Sequence, residues 1–179
     1  MDCSQLYIST VSAGCDETAA RYGLGLEIAE YCTAANLDVP IPEVVTAAQR
    51  HRQAAKRFVF HAPFNELCPA AIDPLAVSLA RHRYAQALAA AQDWGCRLLV
   101  VHTGFIPWVY YPEWFVEKSV EFWREFLPQV PEGMVLCLEN VMEPSPQIPV
   151  DIIRQVDDPR LRLCLDVGHA HVCSEIDVM

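Results

Sequence analysis

Six short runs of mainly apolar residues recur along the chain, and longer segments of helical character separate most of them. The runs cover residues 6–9, 24–28, 57–61, 97–102, 134–139 and 161–166. Strands that are buried on both faces, as in parallel sheets, appear as continuous apolar runs of this kind. The segments between them predict helices at residues 16–22, 43–55, 74–94, 112–127 and 150–156. This alternation predicts a parallel sheet with a helix after most strands.

Local signals mark both ends of the longest predicted helix and the start of the next longest. Asp73 and Pro74 combine an N-cap residue with proline at the first helical position, and Gly95 ends the same helix. Its apolar positions, three and four residues apart, are Val77, Ala80, Tyr84, Ala87, Leu88 and Ala91. The helix that begins at Pro112 is rich in aromatic residues, which we expect to pack on the sheet.

Residues 1–179 are predicted to form one domain, because no linker or low-complexity segment interrupts the pattern. The short connections fit right-handed crossovers between parallel strands. A complete eight-stranded α/β barrel typically needs about 250 residues. We therefore predict an α/β fold that contains about six of the eight units of such a barrel. Its first and sixth strands would be unpaired edges, which favours a homo-oligomer formed through them.

Composition narrows the classes of partner. The formal net charge is −10, and 53% of the residues are hydrophobic. An acidic protein is a poor general binder of nucleic acid, because that affinity depends largely on lysine and arginine. We expect the basic run formed by Arg50, His51, Arg52, Lys56 and Arg57 to be a solvated helix face. The N-terminus lacks the features of a signal peptide and no apolar run is long enough to span a membrane, so we expect a cytoplasmic protein.

Cysteine is frequent but scattered. The eight cysteines lie singly at positions 3, 15, 32, 68, 96, 137, 164 and 173, without the CxxC spacing of a zinc knuckle or redox motif. Cys137 and Cys164 lie inside predicted strands, where cysteine behaves as a small hydrophobic residue. The pattern predicts reduced thiols in the core.

Histidine and acidic residues recur where the predicted strands end. They are Glu27 near the end of strand two, His61, His102, Glu139 and Asp166 at the ends of strands three to six, and His169 just beyond. The C-terminal ends of barrel strands point toward a common axis, so these side chains are expected to lie close together. Imidazole and carboxylate groups bind zinc, manganese and magnesium. The pattern therefore predicts a divalent metal site without selecting the ion.

Four of these strand ends carry motifs that resemble a known family. The segments HAPF (61–64), VVHTG (100–104), LEN (138–140) and DVGHAH (166–171) are similar to successive strand-end motifs of the xylose isomerase-like TIM barrel superfamily. That superfamily contains sugar isomerases, sugar epimerases and DNA repair enzymes of the endonuclease IV type. The resemblance covers nearly the whole chain. It implies a TIM barrel that is cut short after strand six, because the family draws further ligands from strands seven and eight.

The isomerase and epimerase branch supplies the first interpretation of the site. The resemblance implies that Glu139 and Asp166 bind the metal, and we predict His102 as a third ligand. Glu139 would also act as a general base and His169 would orient the substrate, which makes these two the predicted catalytic residues. The predicted substrate contacts are His61, Glu27 and His169. The predicted substrate is a small sugar or sugar phosphate.

Two alternatives remain open. In the endonuclease branch, His61, His102 and Glu139 would share a metal cluster that hydrolyses a phosphodiester of DNA. The acidic composition disfavours this activity, which also requires a DNA-binding surface. The other alternative is an inactive fragment that keeps the core of the fold without the residues that complete the site.

Overall fold

The computed structural model describes residues 5–174, which form a six-stranded parallel sheet with helices between the strands. The strands are β1 (Tyr7–Ser9), β2 (Gly25–Ile28), β3 (Phe58–His61), β4 (Leu98–His102), β5 (Val135–Glu139) and β6 (Leu161–Cys164). Each strand pairs in parallel with the next one in the chain, as in a barrel. The predicted α/β fold with six strand units is confirmed.

Seven helices connect or follow the strands in the described part of the chain. They are α1 (Cys15–Tyr22), α2 (Ala35–Asp38), α3 (Pro42–Ala54), α4 (Pro74–Asp93), α5 (Pro112–Phe126), α6 (Gln147–Val156) and α7 (Val167–Cys173). All five predicted helices are present within a few residues of their expected ends. The short helices α2 and α7 were not predicted. The sixth strand was predicted to run to Asp166, but it ends at Cys164 and Asp166 caps α7 instead.

The side chains of the strands alternate between two faces of the sheet. Leu26, Phe60, Leu99 and Leu136 belong to one face and are fully buried within the hydrophobic core that the helices share. The register pairs Phe60 with Leu99 and Leu99 with Leu136, whereas Leu26 pairs with Phe58, two residues before Phe60 on the same face. Because strand side chains alternate, the residues between them face the other way, into the concave side of the incomplete barrel. The predicted site residues of β2 to β5 belong to this second set.

The aromatic residues of α5 lie in the core, as predicted. Phe115, Phe122, Trp123 and Phe126 are at most 3% exposed. Tyr84 of α4 stacks on Trp123 with ring centroids 5.6 Å apart. The apolar face predicted for α4 packs on β3 and β4, and its Tyr84 also reaches Trp123 of α5. These contacts support the fold, and Trp114, the remaining aromatic residue of α5, is half-buried and stacks on Tyr110.

The two edge regions of the sheet are more exposed to solvent than its centre. Leu163 and Leu165, in and just after β6, are 42% and 63% exposed, and Val167 in α7 is 67% exposed. Near β1, Leu6 is 47% exposed. A continued barrel would cover such positions, because each strand would have a neighbour on both sides. The sheet described by residues 5–174 therefore ends in two apolar edges.

Two predictions about side chains were wrong in part. His51 was assigned to a solvated face, but it is 2% exposed, whereas Arg50 beside it is exposed. The seven described cysteines are free thiols, but only Cys15, Cys68 and Cys96 are buried, so the other four are not core residues. Cys3 lies outside the described residues. Within residues 5–174, none of the helices combines the length and apolar character that crossing a bilayer requires.

Candidate metal centre

The ends of β3, β4 and β5 bring three predicted site residues together. His102 is paired with Glu139 in the sheet register, and His61 lies one strand further along. The Nε2 atoms of His61 and His102 lie 3.6 Å and 3.7 Å from the same oxygen, Oε2 of Glu139. Their potential ligand atoms all lie within 4.8 Å of one another. The side chains of His61, His102 and Glu139 are at most 12% exposed.

These separations fit ligands around an ion better than hydrogen bonds. Donor and acceptor atoms in hydrogen bonds lie about 2.7–3.2 Å apart. Ligands bound tetrahedrally at about 2.0–2.2 Å from a zinc ion lie about 3.3–3.6 Å from one another. The distances from Glu139 to His61 and His102 are close to this second range. The donor set therefore fits a divalent ion such as zinc.

A second cluster of possible metal ligands has the shorter distances of direct hydrogen bonds instead. His51 lies with its Nδ1 atom 2.6 Å from Oδ1 of Asp16 and its Nε2 atom 2.8 Å from Oε1 of Glu30. Both distances are those of direct hydrogen bonds. Carboxylates only accept hydrogen bonds, so both ring nitrogens donate. The geometry indicates a buried ionic contact that joins α1, α3 and the turn Glu30–Cys32, although Cys15, Asp16 and His51 lie close enough to hold an ion.

Backbone contacts orient the imidazole of His61. Its Nδ1 atom lies 2.8 Å from the carbonyl oxygen of Ala62, to which it donates, and 3.2 Å from the sulfur of Cys32. The other nitrogen, Nε2, is the one directed at Glu139. A histidine ligand usually has its second nitrogen held in this way. Cys32 was not predicted as part of the site, because nothing in its position shows that it would reach the end of β3.

The two histidines differ in their affinity for protons. Burial lowers the pKa of His102 to about 4, which leaves this ring neutral. Burial also acts to lower the pKa of His61, but the contacts with Cys32 and Glu139 outweigh it and raise the pKa to about 10. A metal ion at this position would displace the proton of His61, because only a deprotonated nitrogen binds a metal.

Glu139 is shared with a second group that contains Asp166 and His169. The Nδ1 atom of His169 lies 3.4 Å from Oε1 of Glu139 and 3.8 Å from Oδ1 of Asp166. The same Nδ1 atom donates to the carbonyl oxygen of Asn140 at 3.0 Å. A nitrogen that donates a hydrogen bond is not available as a metal ligand, so His169 offers only Nε2 to an ion or substrate. The contact of His169 with substrate stays a prediction.

Two residues hold Asp166 in place: His169, three positions later, and Asn140, which directly follows β5. Its carboxylate accepts from the backbone N–H of His169 at 2.7 Å and caps α7. The side chain of Asn140 forms two hydrogen bonds with the backbone of Asp166, at 2.8 Å and 3.0 Å. Gly168 lies within α7, where a Cβ would come 3.1 Å from Asp166. The N-cap formed by Asp166 therefore marks the point where the chain turns into α7.

Glu27 lies on the wall of a smaller cavity beside the site. This cavity, of about 340 Å³, is also lined by His61, Glu139 and Asp166. The structure thus brings all six predicted residues to one end of the sheet, while their roles remain predictions. Cys164 lines the same cavity, and burial raises the pKa of its thiol to about 12.

A buried contact that was not predicted supports the loop after β5. Thr103, which follows β4, donates to one carboxylate oxygen of Glu143, and the N–H of Val141 donates to the other at 2.6 Å. Glu143 is 5% exposed, and burial raises its pKa. The contact ties the exits of β4 and β5 together. No sequence signal distinguishes Glu143 from a solvated loop residue.

A larger cavity opens beside the metal ligands. It has a volume of about 640 Å³ and is lined by His61, His102, Glu139 and His169 together with residues from the loops after β3, β4 and β5. This volume lies in the range of small-molecule sites. The candidate ligands therefore lie at the base of a cavity large enough for a substrate.

We expect Gly104 to be essential to the shape of this cavity. Its φ is 76°, and a Cβ there would lie 2.7 Å from the carbonyl oxygen of Leu67 in the neighbouring loop. Gly104→Ala should destabilise the fold by more than about 2 kcal/mol, because a left-handed backbone costs about 1–2 kcal/mol and the clash adds to it. Urea denaturation measures the loss. Gly95→Ala is the control, since Gly95 has a φ of 69° but no atom within 4 Å; equal losses would contradict the role of the contact.

Comparison with known proteins places these features in a family. A family model described as "Xylose isomerase-like TIM barrel" matches residues 18–178. The uncharacterized protein MJ1311 of Methanocaldococcus jannaschii is 27% identical over 125 residues, which are 65% of this chain and 43% of that protein. This chain thus spans less than half the length of that curated relative.

Three solved structures share the fold. The TTHB071 protein of Thermus thermophilus, soaked with ZnCl2, is 24% identical, with a TM-score of 0.72 over 97% of this chain and 70% of that one. D-psicose 3-epimerase with D-tagatose from Clostridium cellulolyticum is 21% identical (TM-score 0.69; 99% and 64% covered). Endonuclease IV of Thermus thermophilus is 24% identical (TM-score 0.59; 93% and 63% covered). The chain belongs to the xylose isomerase-like TIM barrel family, of which it forms a partial barrel.

Proposed function

We propose that this chain carries the metal centre of a sugar isomerase or epimerase. The observation that supports the proposal most is the position of Glu139, whose two oxygens face His61 and His102 on one side and His169 on the other. The epimerase among the similar structures agrees with this class of activity. A divalent ion bound here would polarise a sugar carbonyl and make the neighbouring C–H group more acidic.

The proposal assigns metal binding, proton transfer and substrate contact to particular residues of the chain. His61, His102, Glu139 and Asp166 would hold the ion. Glu139 would also accept a proton from the carbon beside the carbonyl, as it lies at the base of the larger cavity. His169 would contact sugar oxygens through Nε2, because its Nδ1 is occupied by Asn140. We propose His61 as a ligand beside His102 in place of the substrate contact predicted for it, because its Nδ1 atom donates to Ala62 and only Nε2 remains.

Endonuclease activity is the second candidate. The grouping of His61, His102 and Glu139 is the metal cluster that the resemblance implies for that branch. Against it, the side chains that line the two cavities within residues 5–174 include neither lysine nor arginine. Phosphodiester substrates are normally held by such cations. This observation favours the sugar as substrate.

Metal titration followed by two assays tests the proposal. We expect calorimetry to show stoichiometric binding of Zn²⁺ or Mn²⁺ by the chain. The loaded chain should then introduce deuterium from D₂O into the carbon beside the carbonyl of D-tagatose, which NMR detects. Cleavage of DNA at an abasic site without this exchange would support the nuclease instead. Metal binding without either reaction would identify an inactive fragment, and the absence of metal binding would overturn the proposal.

We also propose that the apolar edges at β1 and β6 mediate self-association. Sedimentation at about 100 μM should show a dimer or larger oligomer, because exposed strand edges and apolar residues pair readily. Leu165→Glu should shift the chain toward the monomer, whereas Leu75→Glu, at an exposed position of α4, should not. A wild-type chain that stays monomeric would contradict the expectation.

A further inference from the structure

The cavity above the candidate ligands has an unusual composition for a site that binds only a sugar. Its lining includes the candidate ligands His61, His102 and Glu139 together with His169. It also includes six apolar side chains, which we call the apolar wall: Phe64, Leu67, Phe105, Ile106, Val141 and Met142. These residues come from the loops that follow β3, β4 and β5. The cavity therefore presents two chemically different sets of side chains to a bound ligand.

The apolar wall suits neither a phosphate nor the hydroxyl groups of a sugar. Within residues 5–174, the side chains lining the cavity include no lysine or arginine that could pair with a phosphate, and Glu66 at its rim would repel one. A hydroxyl group placed against apolar side chains loses its hydrogen bonds to water without replacement. An uncharged apolar group has no such cost and buries additional surface.

The apolar surface continues beyond the cavity. The loop of residues 105–111 reads FIPWVYY, and a second cavity of about 470 Å³ on its outer side shares Phe105 and Tyr110 with the first. Trp108 in this loop is fully exposed. Its φ is 67°, a backbone conformation that residues other than glycine rarely adopt. Strain of this kind tends to persist at functional sites. The wall is thus extended by aromatic residues next to the cavity.

We propose that the site takes an uncharged glycoside whose sugar ring carries a ketone over the metal centre and whose apolar substituent, of about the size of an aryl ring, packs on the apolar wall. The inference rests on the proposed function and makes it more specific, because it selects a glycoside over a free sugar or a sugar phosphate. The volume of about 640 Å³ is large enough for a sugar with such a substituent.

Calorimetry on the zinc-loaded chain tests the inference with a matched pair of ligands. Phenyl β-D-glucopyranoside should bind about 10-fold or more tightly than methyl β-D-glucopyranoside, because burying an aromatic ring contributes that much affinity. Ile106→Ser and Met142→Ser should each reduce this preference at least about 3-fold. Both residues are partly exposed, at 43% and 38%, so the variants should fold normally.

The control is Val45→Ser, which changes a side chain of equal exposure on α3 outside the cavity. It should leave the phenyl preference unchanged. Equal affinity for the two glucosides, tighter binding of D-glucose 6-phosphate, or a preference that survives both wall substitutions would overturn the inference. Zinc binding without measurable binding of either glucoside would overturn it as well and leave the metal site intact. Absence of zinc binding would instead overturn the proposed function.

Discussion

Replacing Glu139 by glutamine should lower the affinity of the chain for Zn²⁺ by at least about 100-fold. Glu139 is the one residue that belongs to both candidate ligand groups at the strand ends, with His61 and His102 on one side and Asp166 and His169 on the other. The substitution keeps the shape of the side chain but removes its charge. Loss of an outer contact to a ligand already costs about 10–100-fold in affinity, so loss of the shared ligand should cost more.

Glu66→Gln is the matched control for this change. Glu66 lies at the rim of the same cavity, is exposed, and belongs to neither ligand group. Its substitution removes the same charge and should alter zinc affinity by no more than about 3-fold, as expected for a screened charge at a distance. Calorimetry measures both variants, and circular dichroism verifies that they are folded. Similar affinity losses in both would mean that general charge, not coordination, determines binding.

Replacing His51 by leucine should destabilise the fold by about 3 kcal/mol. The two ring nitrogens of His51 donate to Asp16 and Glu30, and the ring itself is 2% exposed. Removal of one partner from a buried ionic contact typically costs about 3–5 kcal/mol. We expect the lower end of this range, because the two carboxylate side chains keep 18% and 17% of their exposure and water can reach them.

Arg50→Ala provides the comparison for His51. Arg50 contacts the same carboxylate, Asp16, at 3.4 Å, but its side chain is 61% exposed. An exposed ion pair contributes at most about 1 kcal/mol, so this variant should lose much less stability. Urea denaturation of both variants gives the free energies of unfolding. A loss for the His51 variant no larger than that for the Arg50 variant would show that the buried contact is not structurally important.

The proposed glycoside and the proposed metal centre depend on different residues. The metal centre depends on polar side chains at the ends of the strands, and the apolar wall depends on the loops that follow them. Parallel barrels commonly place their chemistry at the strand ends and their specificity in the loops. Substitutions at Ile106 and Met142 are therefore expected to change ligand preference without changing metal affinity.

Most of the candidate site could be predicted because strand ends are visible in the sequence. His61, His102 and Glu139 each close an apolar run, and the sheet register places them side by side. The burial of His51 could not be predicted, because it depends on the approach of Asp16 and Glu30 from distant segments. The contacts of Cys32 with His61 and of Thr103 with Glu143 were missed for the same reason.

The sequence by itself determined the order of strands and helices and the chemical type of each residue at a strand exit. Hydrophobic periodicity, helix caps and proline positions act over a few residues, so they can be interpreted without the fold. Only the tertiary structure decided which of these side chains meet, which nitrogen of each histidine faces Glu139, and that the residues of the apolar wall line the same cavity. These features depend on strand register and on loops that are distant in sequence, and no local pattern specifies either.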